Sequence, residues 1–453
     1  MGEAISGAPA AVQVLAVSRV TPAPAENAGR VKLSFLDAPW VPLSPVQHVF
    51  LYDLQGGGAE YSAAVRKLKE SLATTLALYL PFAGMLSYDE QTRDVVIDLS
   101  DAGVAVFEAE DGGDGSSCSL DLRRLVMDKA HDVPAFLSLV PEHDARVLPA
   151  PVAAVQVTRL SGGACLALGV SMLHAVADGH TALRFYDAWA SAARGTGSLL
   201  GPPHYGREAI VHPRGDEIAR NILRSLAPNL PVLVNAEDTD LSKEERLARW
   251  TFNFSAHDIQ SLKRRIVGET AEHGHKSVST FVALAALAWT AFVTSKEFAV
   301  GDDTHLVFFA DLRKRLHPPV DECYLGNCVK GCLASTDAGE LLAEAGLVRA
   351  SQAIKAAVME METAPLDGTE LSREQLARLP VERMVNVAQG PQFKIYEATD
   401  FGFGRPRRVE LVSTYRDGQI ILRGGRHAGE VQLSVGLDEA CIHAFEAHIK
   451  AYL

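Results

Sequence analysis

The 453 residues predict an α/β protein of two domains with mixed sheets, on three observations. Runs with strand character alternate with helical runs in both halves of the chain, which is the α/β pattern. A central stretch, Ala193–Asp216, is dense in Gly, Pro and charge without any period, as an interdomain linker is. Apolar residues make up 47% of the chain, enough for two large cores or about three domains of ~150 residues each. The division that follows is a first domain over 1–195, a linker over 196–218 and a second domain over 219–453.

Residues 10–35 set Val12, Val14 and Ala16 against Gln13, Leu15 and Val17, a weakly strand-like alternation. Leu43–Tyr52 reads as a loop entering a strand, and Gly56-Gly57-Gly58 reads as a chain break. Val65, Leu68, Leu72, Leu76 and Leu80 recur at helical spacing up to Pro81, which removes a donor and ends the helix. Val95–Ile97 and Val104–Phe107 read as strands. Pro149–Leu160 and Ala164–Leu173, joined by Ser161-Gly162-Gly163, read as a β-hairpin. A helix follows from Gly179 through Leu183, Tyr186, Trp189 and Ala190. In the second half, Ser255–Val267, Ser279–Thr294, Gly339–Met359 and Glu370–Val385 read as helices and Leu306–Ala310 as a buried strand. Several short strands follow between Phe393 and Val435, separated at Asp417-Gly418 and Gly424-Gly425.

The charge sum, 43 basic against 56 acidic residues, is −13. Nucleic acid and anionic membrane surfaces demand dense Lys/Arg, so neither is an expected partner. No run reaches the ~18 apolar residues of a membrane span. No basic stretch followed by an apolar one marks a secretory signal. Met1-Gly2-Glu3-Ala4-Ile5-Ser6 fits the loose myristoylation pattern, but Glu3 and the lack of a nearby polybasic patch oppose stable anchoring. Six cysteines are too sparse for a disulfide scaffold and suit a reducing compartment, the cytosol. Cys323, Cys328 and Cys332 lack zinc spacing, and His273 and His275 read as a surface loop, so no metal is expected.

The strongest local signal is His174-Ala175-Val176-Ala177-Asp178-Gly179, between an apolar strand and a helix. An imidazole at a strand end is held by rigid scaffold, and its unperturbed pKa of ~6.5 lets it accept a proton at neutral pH. Asp178 either orients that ring or fixes the backbone by pairing with a distant cation. On its own such a histidine is more often a satisfied core residue.

His174–Gly179 resembles the H-x-x-x-D-G motif of the plant BAHD acyltransferases. Asp400-Phe401-Gly402-Phe403-Gly404, about 225 residues later, resembles their D-F-G-W-G signature with Phe403 in place of Trp. Tyr79–Gly84 resembles the family's L-P-x-A-G segment and Asp311–Pro319 its D-x-R-x-R-x-x-P-P block. Tyr324-Leu325-Gly326-Asn327-Cys328 is similar to Y-F-G-N-C, a mark of the branch that acylates flavonoid and phenolic glycosides. Both departures, Phe403 for Trp and Leu325 for Phe, keep a large apolar group, so packing should survive. The family's usual His-His pair is Leu173-His174 here, and the second histidine, the catalytic one, is retained.

The resemblance implies two chloramphenicol acetyltransferase-like domains with a channel at their interface, and an acyl-CoA-dependent acyltransferase. Acyl-CoA is then a co-substrate, with no permanently bound cofactor, and the acceptor is a small phenolic. The branch favours malonyl as the acyl group, and the family's default state is a monomer. His174 is implied to be the general base. Asp178 and Arg313 are implied to support its loop, and Asp400–Gly404 to pack rather than react. A thioester is already activated, so no covalent nucleophile is required, and no G-x-S-x-G elbow is present. The residues do not reveal which donor stabilises the oxyanion. Lys263, and Lys276 followed by Ser277, Ser279 and Thr280 at the start of an apolar helix, are candidates for CoA phosphates; an ordinary N-cap is the alternative. Arg184 is a candidate for gripping a malonyl carboxylate, with a surface arginine as the alternative. Two other readings stay open: a hydroxycinnamoyl transferase to an amine or alcohol, and a non-catalytic phenolic-binding relative.

Overall fold

In the computed structural model the described residues are 12–23, 29–112, 120–197, 201–233, 247–269, 277–368, 379–413 and 416–453. Two six-stranded mixed sheets dominate. The first runs in the order Val12–Val20, Val104–Asp111, Ala153–Leu160, Cys165–Met172, Val46–Asp53, Arg408–Leu411. Its pairs are antiparallel except Val104–Asp111 with Ala153–Leu160. The second runs Leu247–Phe254, Val431–Asp438, Gln419–Gly424, Met384–Gln389, Asp303–Asp311, Val329–Asp337, with Met384–Gln389 parallel to both neighbours. A small antiparallel sheet joins Arg30–Lys32, Asp94–Asp98, Met85–Asp89 and Ala150–Pro151.

The first sheet ends on a strand from late in the chain: Arg408 faces Leu51 and Leu411 faces His48. The two halves are therefore stitched by backbone hydrogen bonds as well as by side chains. Cys165–Met172 reads as a nearly continuous apolar run because neighbours cover both faces, and Ala153–Leu160 is buried almost throughout although it carries Gln156 and Thr158. Val12–Val20 is an edge strand whose Leu15 and Val17 are exposed, so the alternation read there does not separate a buried face from a wet one.

Several boundaries differ from the sequence reading. The glycines at 56–58 do not break the chain; Gly57, with φ +62°, opens the helix Gly57–Leu78. The hairpin turn comes down on that helix start: a Cβ on Gly163 would lie 2.9 Å from the Gly58 nitrogen. The helix closes at Leu78, and Pro81 sits in the following 3-10 turn Leu80–Ala83. Gly339–Met359 is two helices, Ala338–Leu342 and Gly346–Thr363. Of Glu370–Val385, residues 370–378 fall outside the described set, and Met384–Gln389 is a strand, so the expected helix does not extend to Val385. The Val385-Asn386-Val387 alternation suits a strand, and its slot between two parallel neighbours fixes it there. The helix Gly215–Leu226 begins inside the stretch read as linker.

Helix Gly179–Arg194 packs on Gly57–Leu78, and Trp189 Nε1 donates to Leu68 O at 3.0 Å. Thr280–Ser295 is sheathed by Gly346–Thr363 and Ile442–Lys450, and is buried from Val282 through Val293, which explains its unbroken apolar sequence. No described helix is long and apolar enough to cross a membrane.

Candidate active site

His174 stands two residues past the end of strand Cys165–Met172, whose other end is pinned in the hairpin. The ring is half-buried and stacks on Trp40, with centroids 4.0 Å apart and planes 11° from parallel. Burial pulls the imidazole below its ordinary pKa; its own backbone carbonyl, Asp178, Asn327 and Asp37 act the other way without prevailing. The lowered pKa favours the uncharged ring. Its Nδ1 is buried without a hydrogen-bond partner.

Asp178 caps the helix Gly179–Arg194, accepting from Thr181 N at 2.9 Å. The same carboxylate meets Arg313 end-on: Nη1 to Oδ2 is 2.9 Å and Nη2 to Oδ1 is 3.1 Å, with both side chains 1% exposed. Cys328 N donates a further bond to Oδ2 at 3.0 Å. Burial opposes the carboxylate charge, but Arg313 and the two amides outweigh it and hold Asp178 below the usual carboxylate range. Arg313 likewise overcomes its own desolvation and is held above its ordinary value by Asp178. Nη1 also meets Asp311 Oδ1 at 3.2 Å and Nη2 reaches Thr181 Oγ1 and Gly326 O at 3.1 Å, while Nε is buried without a partner. This ion pair clamps the loop after His174 to the Asp311–Cys328 segment of the second half.

A second buried carboxylate, Asp37, is tied to the same segment through Asn327. Asp37, fully buried, accepts five bonds: from Ser34 N and Oγ at 2.8 Å, Arg207 Nε at 2.7 Å, Asn327 N at 2.9 Å and Asn327 Nδ2 at 3.0 Å. Asn327 Nδ2 also donates to the His174 carbonyl at 2.9 Å. Sequence reasoning passed over Asp37, Trp40 and Arg207, which lie in loops without periodicity, and took Asn327 only as part of a signature. The Asn327 motif was the one signal that could have found them.

The remaining candidates disperse. Asp400 Oδ1 accepts from Gly402 N and Gly404 N at 2.8 and 3.1 Å, closing a turn in which both glycines have positive φ. Phe401 is buried edge-on to Trp189 at 5.0 Å, and Phe403 edge-on to Tyr52 at 5.2 Å. Arg184 is buried, with its guanidinium donating to Glu322 O, to Gly201 O at 3.2 Å and to Cys323 Sγ at 3.3 Å. It is neither a surface arginine nor free of internal partners. Ser279 Oγ accepts from Val282 N at 3.2 Å, an N-cap to Thr280–Ser295. Ser277 is exposed and Lys263 half-buried. Lys276, His273, His275 and Gly2 lie outside the described residues.

Two six-stranded mixed sheets, with a half-buried histidine past the end of one strand and a buried Asp–Arg ion pair joining the halves of the chain, make up an acyltransferase. The Transferase family model matches residues 10–452, and the chain belongs to that family, the BAHD acyl-CoA-dependent acyltransferases. It is 31% identical to a malonyl-CoA:anthocyanidin 5-O-glucoside-6''-O-malonyltransferase of Arabidopsis thaliana, over 96% of this chain and 97% of that one. It is 28% identical to the agmatine coumaroyltransferase of the same plant, over 96% and 98%. Among solved structures, vinorine synthase superposes with TM-score 0.71 at 18% identity, covering 98% of both chains. TRI101 of F. graminearum, complexed with coenzyme A and T-2 mycotoxin, gives 0.68 at 14% identity over 93% of this chain and 97% of that one. The fold is that of these two proteins, with two chloramphenicol acetyltransferase-like domains.

Proposed function

We propose that this enzyme transfers an acyl group, malonyl favoured, from CoA to a hydroxyl of a phenolic or flavonoid glycoside, with His174 as general base. The carrying observation is the half-buried, neutral imidazole of His174 behind the Asp178–Arg313 clamp. Nε2 takes the acceptor proton as oxygen attacks the thioester carbon; the C–S bond then breaks and the proton passes to the CoA sulfur. No acyl-enzyme forms, since the thiolate is a good leaving group. Asp178 and Arg313 support the loop and touch no substrate. Asp400–Gly404 is a packing element.

The malonyl lean rests on likeness to malonyltransferases of anthocyanidin and phenolic glucosides. Arg184 is not assigned to the malonyl carboxylate, because its internal bonds would have to be displaced first. Ser277, Thr280, Lys263 and Lys276 are proposed around the CoA phosphates, with Ser279 contributing only its cap. The proposal includes a channel to His174 between domains divided near 196–218, a cytosolic monomer, and acyl-CoA as co-substrate. A second reading, hydroxycinnamoyl transfer to an amine, draws support from likeness to the agmatine coumaroyltransferase.

The test is incubation with malonyl-, acetyl- and coumaroyl-CoA against mixed flavonoid glucosides and agmatine, following CoA release and product mass. A malonylated glucoside is expected. A coumaroylated amine alone would establish the second reading, and no turnover with any donor would overturn both.

A further inference from the structure

We infer that Asp37 and Asn327, braced by Arg207, are positioning residues that fix the tautomer and pose of His174. The inference rests on the acyl-transfer reading above and names a second support, distinct from the Asp178–Arg313 pair.

The hydrogen bonds leave little freedom. Every group on Asp37 is a donor, so both of its oxygens act as acceptors with no solvent to share them. Asn327 points one group at Asp37 Oδ1 and at the His174 carbonyl, both acceptors, so that group is the amide nitrogen. The Asn327 oxygen is thereby turned to the other side, where it is buried without a partner. His174 Nδ1 is also buried without one, and Asn327 is among the groups that bear on this ring. A buried acceptor and a buried ring nitrogen, each without a partner and on residues already joined by the Asn327 Nδ2 to His174 carbonyl bond, are stabilised by a proton on Nδ1. The pairing inferred is Nδ1–H donating to Asn327 Oδ1. Nε2 then carries the free lone pair that takes the acceptor's proton.

Asp37 reaches the ring by a second route. Its loop carries Trp40, whose indole lies flat on the imidazole. Arg207 holds the loop from outside, donating also to Leu325 O at 2.6 Å, and Tyr324 stands between the two clamps with Arg207 and Arg313 both within 6 Å of its ring centre. Cutting Asp37 therefore loosens Asn327 and Trp40 together.

Histidine-labelled ¹⁵N protein reports ring tautomers directly, and His174→Ala identifies the His174 signals by their loss. The wild-type ring, at a pH where it is neutral, is expected as Nδ1–H. Asn327→Ala and Asp37→Asn are expected to move it toward Nε2–H. With an acyl donor that turns over, kcat is expected to fall on the order of tenfold or more. KM for the acyl-CoA should stay within about threefold, since substrate contacts are untouched. An Nε2–H ring in the wild type overturns the inference even if no variant folds. Retention of Nδ1–H in Asn327→Ala overturns it too, handing the role to the ring's own backbone carbonyl. Absence of turnover with every donor would defeat the functional reading and leave the tautomer measurement standing.

Discussion

Two short segments, His174–Gly179 and Asp400–Gly404, each centre on an aspartate, and the two carboxylates do different work. Asp400 accepts from amides two and four residues away and closes its own turn. Asp178 meets Arg313 across 135 residues of chain and receives the Cys328 amide across 150. One is a local device that presents Phe401 and Phe403 to Trp189 and Tyr52; the other joins the two halves at the ring that is proposed to react. The comparison teaches that a recurring aspartate gains chemical meaning from what it bridges. A half-buried carboxylate with local amides is packing, whereas a desolvated one with a distant guanidinium sets a geometry.

The contrast can be broken most severely at His174. His174→Ala is expected to lower turnover by on the order of 10²–10⁴ while the melting temperature hardly moves, measured by CoA release and thermal unfolding. Next, Arg313→Ala leaves the Asp178 charge buried and unpaired, and is expected to destabilise by roughly 3–5 kcal/mol in denaturant titration. Arg313→Lys should recover little, because a single ammonium cannot reproduce the two-pronged contact. On the other side of the comparison, Phe401→Ala is expected to cost about 3–5 kcal/mol through the cavity against Trp189, with KM for acyl-CoA unchanged in the folded fraction. Phe403→Trp is expected to change stability by less than about 1.5 kcal/mol, because the site keeps a large aromatic on Tyr52.

The pH dependence sharpens the same division. His174 is lowered by burial, so the acid limb of kcat is expected below the ordinary histidine value near 6.5, rate falling as pH falls through it. His48, lowered to about 3 chiefly by burial with Arg423 adding to it, is neutral in the fold and charges in the unfolded chain. Its folded pKa is depressed, so its contribution to stability is complete above the unfolded value of ~6.5 and is lost progressively from there down to about pH 3. Asp178, also depressed, adds loss in the same direction below the ordinary carboxylate range. Acid unfolding that begins near pH 6 in the wild type and later in His48→Gln checks the sign.

Much of this was legible because it is local. Val65, Leu68, Leu72 and Leu76 repeat at helical spacing, and all four are buried on one side of Gly57–Leu78. The hairpin turn at 161–163 and the helix from Gly179 follow from glycine and an N-cap that any chain would obey. The Asp178–Arg313 pairing came from motif likeness, and the structure gives it as a two-pronged buried contact. The strand Met384–Gln389 was hard to read, since its short alternation is fixed as a strand only by its two parallel neighbours.

Composition and periodicity by themselves determined an α/β chain, and the likeness of its motifs to those of the BAHD family pointed to an acyltransferase with His174 and Asp178 at its centre. Tertiary structure alone decided that Arg408–Leu411 completes the first sheet, that Arg184 is tied to backbone carbonyls, and that Asp37, Asn327 and Trp40 converge on the imidazole. The physical reason is sequence separation. Capping, turns and amphipathic faces are written within a few residues of one another, whereas a carboxylate 290 residues from the amide it receives has no local pattern to announce it.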